Sequence, residues 1–238
     1  MENHPQYDNQ FESLIQVNDV ERAAFYRKTY AHVALATLLF IIVEAVFLSI
    51  PSLVNFMMSM LDGWKWFIVL GLFMFATNYA EKIAHTSHDK STQYLALLLF
   101  VVAEALIFIP LIAIAIQIGE MNETNVLNQA AITTLALFTG LSAVVLVTKK
   151  DFSFLRSIIM IGSFVALGII IAGVIFGFNF GLVFAGGMVL LAGASILYQT
   201  SNLIHKYSTD QYVGASLGLF ASLMLLFWYI LSIFISRD

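Results

Sequence analysis

Seven apolar runs, at residues 30–50, 66–80, 93–116, 127–147, 154–176, 180–204 and 214–235, set what this chain can fold into. Together they span 151 residues and hold three charges, Glu44, Glu104 and Arg156, while the other 23 of 26 charges fall in the remaining 87 residues. Such segregation means lipid-facing spans joined by solvated connections. With 60% hydrophobic against 11% charged residues it excludes a soluble domain. A run of about 20 residues at 1.5 Å each matches a hydrocarbon core of roughly 30 Å, and a helix satisfies its own backbone where lipid cannot. An outer-membrane barrel is excluded as well: its strands would alternate over about ten residues, whereas residues 165–176 are apolar on every side. The expected fold is all-α, a polytopic bundle of seven transmembrane helices over residues 30–238, preceded by a mobile acidic cytoplasmic tail at 1–29.

The second run, at 15 residues, is short for a bilayer. It is expected to recruit its outer flank, where Trp64, Lys65 and Trp66 form an interfacial anchor with a snorkelling lysine. Lysines and arginines orient the bundle. With seven spans, the amino terminus and the second, fourth and sixth connections share a side carrying Arg22, Arg27, Lys28, Lys82, Lys90, Lys149, Lys150, Arg156 and Lys206, against only Lys65 and Arg237 on the other. That split predicts a cytoplasmic amino terminus and a carboxyl terminus outside. The first 29 residues are polar and acidic, so no cleavable signal peptide is expected. The absence of cysteine removes disulfides and thiolate metal sites and is otherwise neutral.

Short connections argue for one bundle with no appended soluble domain. Residues 1–22 stand apart, with Glu2, Asp8, Glu12, Asp19 and Glu21 against a single arginine; they fit either a disordered segment or a docking handle for a cytoplasmic partner. Small residues indicate how helices approach: Ala185-Gly186-Gly187 recurs as Ala192-Gly193-Ala194, and the last run has a stripe at Gly214, Gly218 and Ser222. Gly173 and Gly177 form a GxxxG, expected to serve packing within the chain.

A charge at the bilayer centre costs on the order of 3 kcal/mol unless paired, so Glu44 and Glu104 are the candidate intramembrane proton or cation residues. If both helices start at one plane, Glu44 lies about 21 Å deep and Glu104 about 17 Å, within reach of a shared cavity. Two readings fit: a proton-sensitive gate or cation site, or two neutral acids each hydrogen-bonded to a neighbouring helix. Pro110 is expected to kink the third span and free a carbonyl. Enzyme constellations are poor. His85, His88 and Asp89 have metal-ligand chemistry but sit in a polar loop, His32 and His205 lie near span ends, and no nucleophile elbow, Walker loop or dinucleotide fingerprint is present. Neither an enzyme, nor a cofactor, nor a bound metal, nor a nucleic-acid partner is expected.

The run Thr148-Lys149-Lys150-Asp151-Phe152-Ser153-Phe154-Leu155 resembles the Lys-Asp-hydrophobic-Ser-Phe-Leu signature of the Bax inhibitor-1 family, also called the transmembrane BAX inhibitor motif family. Arg27-Lys28-Thr29-Tyr30 is similar to its Arg-x-Thr-Tyr sequence before the first span. Residues 196–205, Ile-Leu-Tyr-Gln-Thr-Ser-Asn-Leu-Ile-His, and the terminal Ser236-Arg237-Asp238 resemble the bacterial YccA branch. The resemblance covers residues 27–238. It implies a cell inner (plasma) membrane location and one of two functions. One is binding and modulating the membrane AAA protease FtsH with HflK and HflC; the other is a pH-sensitive calcium (Ca2+) leak held shut by an aspartate pair on the sixth and seventh helices. The residues at that pair's positions are Gln199 and Phe220, neither acidic. Phe220 cannot ligate a cation and Gln199 offers one neutral carbonyl, so a pH-linked leak would fall to Glu44 and Glu104.

Overall fold

The computed structural model describes residues 5–87, 89–177 and 181–237. Among them run eight helices and no strand: α1 (Pro5–Leu48), α2 (Pro51–Ser59), α3 (Lys65–Thr86), α4 (Lys90–Met121), α5 (Val126–Thr148), α6 (Leu155–Phe176), α7 (Gly181–His205) and α8 (Tyr212–Arg237). Seven of these, all but α2, are long and apolar enough to cross a membrane, matching the seven apolar runs one for one. Residues 1–4 of the acidic tail, His88, Phe180 and Asp238 lie outside the described residues.

Two elements differ from expectation. The second span is α3, which takes in its outer flank as expected, starting at Lys65 with Trp64 at the cap, and reaches 22 residues by also continuing past Ala80 to Thr86. Ala80 before the extension and Ala84 within it are buried, so packing carries the helix through the charged pair Glu81 and Lys82. The first connection is itself partly helical and contains α2, which starts with Pro51 in its first turn, where the missing N–H costs nothing. It packs on α1 and α4.

The ends of the helices follow local chemistry. Asp89 caps α4, its carboxylate accepting from the Thr92 N–H at 2.9 Å and the Thr92 hydroxyl at 2.7 Å. Gly177 stops α6 in the left-handed region at φ 71°, where glycine has no steric cost. A Cβ there would meet open space, so Gly177 acts as a helix stop and not as half of a packing GxxxG. Residues 5–29 and the first span form one unbroken helix, and Phe25 and Thr29, placed before the expected domain boundary, are already buried. Pro110 lies inside α4, which runs on past it; its missing N–H removes the helical hydrogen bond to the Leu106 carbonyl.

α4 and α8 form the centre, each packing on the other and on α1, α3 and α5, with α7 alongside α8 and α6 outermost against α7. Phe108 is the hub. Its ring meets Phe40 of α1 edge-on at 5.2 Å, stacks on Phe227 of α8 at 5.7 Å, and takes Trp228 in a T-shape at 4.9 Å. Aromatic pairs of this kind contribute about 0.5–1.5 kcal/mol each beyond burial, which matters where lipid supplies little hydrophobic drive between helices. The small stripe of α8 is a close-approach seam, as expected: a Cβ on Gly214 would sit 3.0 Å from the Ala84 carbonyl oxygen, and the Ser222 hydroxyl pairs with Ser195 of α7 at 2.8 Å. The α7 repeat is used differently. Ala185 and Ala192 are buried, but Gly186 and Gly187 have open space where a side chain would be.

Candidate functional site

The two positions that the resemblance assigns to an aspartate pair hold a fully buried ring and a half-buried amide. Phe220 is fully buried on α8, edge-on to Phe100 of α4 at 6.2 Å. Gln199 on α7 lays its amide against Gly218, and a Cβ added there would lie 3.0–3.1 Å from the amide atoms. Glycine at 218 is therefore what makes room for the glutamine. An aromatic ring and a neutral amide supply no charge with which to bind or release a cation.

Glu44 and Glu104 are both buried, at 4% and 6% exposure, and no hydrogen bond joins them. Glu44 of α1 is sealed, with both carboxylate oxygens buried and without a hydrogen-bond partner among the described residues. Glu104 instead lines a cleft of about 500 Å³ between α3, α4 and α8, with Ile170 of α6 and Phe184 of α7 also on its wall and Glu44 not part of it. α3 contributes Trp66, Leu70, Phe73, Thr77 and Glu81, a single stripe at helical spacing. Fifteen residues at 1.5 Å make that stripe about 22 Å long. α4 adds Phe100, Glu104 and Phe108 one turn apart, and α8 adds Ala221, Met224 and Trp228. The wall thus has two carboxyls, no lysine or arginine, and a majority of aromatic and aliphatic carbon. Glu104 faces the cleft without a hydrogen bond to any described residue.

The family-like signature at Lys149, Lys150, Asp151 and Ser153 builds a clip. Lys149 ends α5 at φ 52°, and its carbonyl accepts from the His205 Nε2 at 3.2 Å. Asp151 Oδ1 accepts from the Ser153 N–H at 2.8 Å, closing an Asx turn, and from the Ser201 hydroxyl at 3.4 Å. Ser201 in turn accepts from the Phe152 N–H at 2.9 Å. The turn between α5 and α6 is thereby tied to the end of α7. Hydrogen bonds from Ser153, with help from the nearby His205 charge, hold the Asp151 carboxyl below the usual carboxylate range. Since the folded value is depressed, the clip contributes fully above the ordinary aspartate range of about 4 and fades as pH falls through the depressed value. Asp151→Asn is expected to melt below the wild type at neutral pH and to converge with it as pH falls below the ordinary aspartate range, as thermal midpoints in detergent would show. A constant gap across that range would remove the clip's electrostatic part.

The same end gathers most of the basic side. Arg22 donates to the Tyr207 carbonyl at 2.8 Å, Lys28 and Lys90 sit over the Tyr212 ring at 5.5 and 4.5 Å, and Lys206 sits over Tyr198 at 5.0 Å. His85 donates from Nδ1 to the Glu81 carbonyl at 2.8 Å, so in the neutral ring its Nε2, 3.0 Å from the Tyr207 hydroxyl, is the acceptor. Burial pushes that hydroxyl up to about 12, which keeps it a donor. His85 and Asp89 are thus committed to structure, and among the described residues no group of three or more metal-ligating side chains converges. Sequence reasoning passed over Ser201, Tyr207 and Tyr212. The signal was there in the polar triplet Thr200-Ser201-Asn202, whose three members are all buried.

A family model described as "Inhibitor of apoptosis-promoting Bax1" matches residues 22–238. The chain belongs to the Bax inhibitor-1 family. Within it, the chain is similar to protein lifeguard 4 of Mus musculus, 30% identical over 215 residues that cover 88% of this chain and 84% of that protein. It is 40% identical to the uncharacterized protein PA2604 of Pseudomonas aeruginosa over 118 residues, 49% of this chain and 53% of that one. It is 37% identical to "Modulator of FtsH protease YccA" of Escherichia coli K12 over 108 residues, 44% of this chain and 49% of YccA. The chain thus spans about half the length of the two bacterial relatives. As a Bax inhibitor-1 protein it is a multi-pass membrane protein with seven candidate spans. The match begins at Arg22, the residue that fastens α1 to the loop after α7.

Proposed function

We propose that this chain is a non-enzymatic inner-membrane regulator that acts by associating with the membrane protease FtsH and its HflK and HflC partners, its basic end facing the cytoplasm. The name of its relative YccA suggests the partner. The observation that favours association over conduction is Phe220: a fully buried ring stands where the leak mechanism needs an acid. In this reading residues 1–18 form the handle, because Arg22 and Phe25 already belong to the packed bundle. Removing residues 2–18 while keeping Arg22 is expected to abolish co-purification with FtsH and turnover by it. Unchanged co-purification and turnover would sink the handle.

A second reading is favoured by Glu104, a buried acid lining a cleft: a pH-sensitive calcium leak. The same purified protein in liposomes containing a calcium dye, at about pH 6 and pH 8, separates the two. No flux above empty liposomes supports the regulator. Flux that Glu44→Gln or Glu104→Gln abolishes replaces it with the leak.

A further inference from the structure

The cleft between α3, α4 and α8 has a composition that selects its occupant. Its volume of about 500 Å³ lies within the range of sites for drug-sized molecules. Its wall carries Glu104, more than nine-tenths buried and without a hydrogen-bond partner among the described residues, and Glu81 toward the basic end, with no basic side chain to neutralise either. A buried intramembrane acid calls for a positive partner, and none of the residues lining the cleft supplies one. A metal ion is a poor candidate, since a calcium ion takes six to eight oxygens and, besides the two carboxyls, the side chains of the wall offer only the Thr77 and Tyr229 hydroxyls. The rest of the wall is largely aromatic and aliphatic carbon, and the rings of Trp66, Phe73, Phe100 and Trp228 belong to it, the chemistry that attracts a desolvated cation and buries an apolar body.

We propose that this cleft binds a lipophilic organic cation, whose apolar body lies between α3 and α8 and whose positive centre is held by Glu104 and the surrounding aromatic rings. The ligand class is one that partitions into a bilayer, and the charge it brings is the one the site lacks. Occupancy would not depend on the protease or on ion flux, so it is tested separately from both.

The full chain in phosphatidylcholine nanodiscs would be titrated with tritiated tetraphenylphosphonium, with tetraphenylborate, its isostere of opposite charge, as competitor. Two of the three tryptophans line the cleft, so their fluorescence gives a second readout. The expected result is saturable binding that Glu104→Gln weakens at least tenfold, that Ala221→Trp blocks by filling the cleft from α8, and that tetraphenylborate does not displace. Both variants would be checked for a folded elution profile; should Ala221→Trp misfold, Glu104→Gln and the anion decide. Binding no greater than to empty nanodiscs, wild-type affinity in Glu104→Gln, or equal displacement by tetraphenylborate would overturn the proposal.

Discussion

Phe220→Asp, the substitution that restores the second acid of the leak mechanism, is expected to leave little folded protein and to create no cation site. Phe220 is fully buried on the central helix and packs edge-on against Phe100. Shortening a buried phenylalanine to a small side chain costs about 3–5 kcal/mol through the cavity it leaves. An unpaired carboxylate in the membrane interior adds on the order of 3 kcal/mol more. Against a total stability of about 5–15 kcal/mol the sum is disabling. Gln199→Asp on the facing helix is expected to be far milder, because residue 199 is only half-buried and lies against Gly218. The pair of variants is read by the fraction eluting as folded protein in detergent and by its thermal midpoint. A folded Phe220→Asp protein with a wild-type midpoint would show that the position is not packed closed, and would reopen the dyad mechanism.

Gly214→Val is expected to separate α3 from α8 at the basic end. A Cβ on residue 214 would sit 3.0 Å from the Ala84 carbonyl oxygen and 3.4 Å from its carbon, and these are backbone atoms that cannot turn aside. Overpacking against an unyielding neighbour costs about 3 kcal/mol, which at this chain length corresponds to a fall of roughly 6–12 °C in thermal midpoint. The loss is steric and not a matter of helix propensity, and Gly140→Val provides the control. Gly140 is exposed within α5 and has nothing within 4 Å of its missing Cβ, so its valine variant is expected to melt within about 2 °C of the wild type. Equal losses in both would place the effect in the backbone and not in the seam.

The two variants also mark where sequence reasoning held and where it stopped. The stripe at Gly214, Gly218 and Ser222 was legible, because close helix approach requires missing side chains at helical spacing. The stripe at Gly186 and Gly187 has the same composition and opens onto free space. Composition alone cannot separate the two, since only a facing helix turns a small residue into a contact. The same limit applied to Glu44 and Glu104. Their depths came from counting turns, but their azimuths depend on how α1 and α4 rotate against α8, and that rotation puts one acid in a cleft and seals the other. The Asp151 clip was half legible: the signature was recognised, while its partner Ser201 lies 50 residues away on another helix.

What the amino-acid sequence determined by itself is the membrane, the helices and the count of spans. Lipid offers no hydrogen bonds, so a run long enough to cross it and free of charge has one stable backbone solution, and that constraint is local. What only the tertiary structure decided is which faces meet. The extension of α3 past Ala80, the cleft around Glu104 and the closure around Phe220 arise from contacts between helices far apart in the chain, where the packing of side-chain shapes, and not hydropathy, chooses among arrangements that lipid would accept equally.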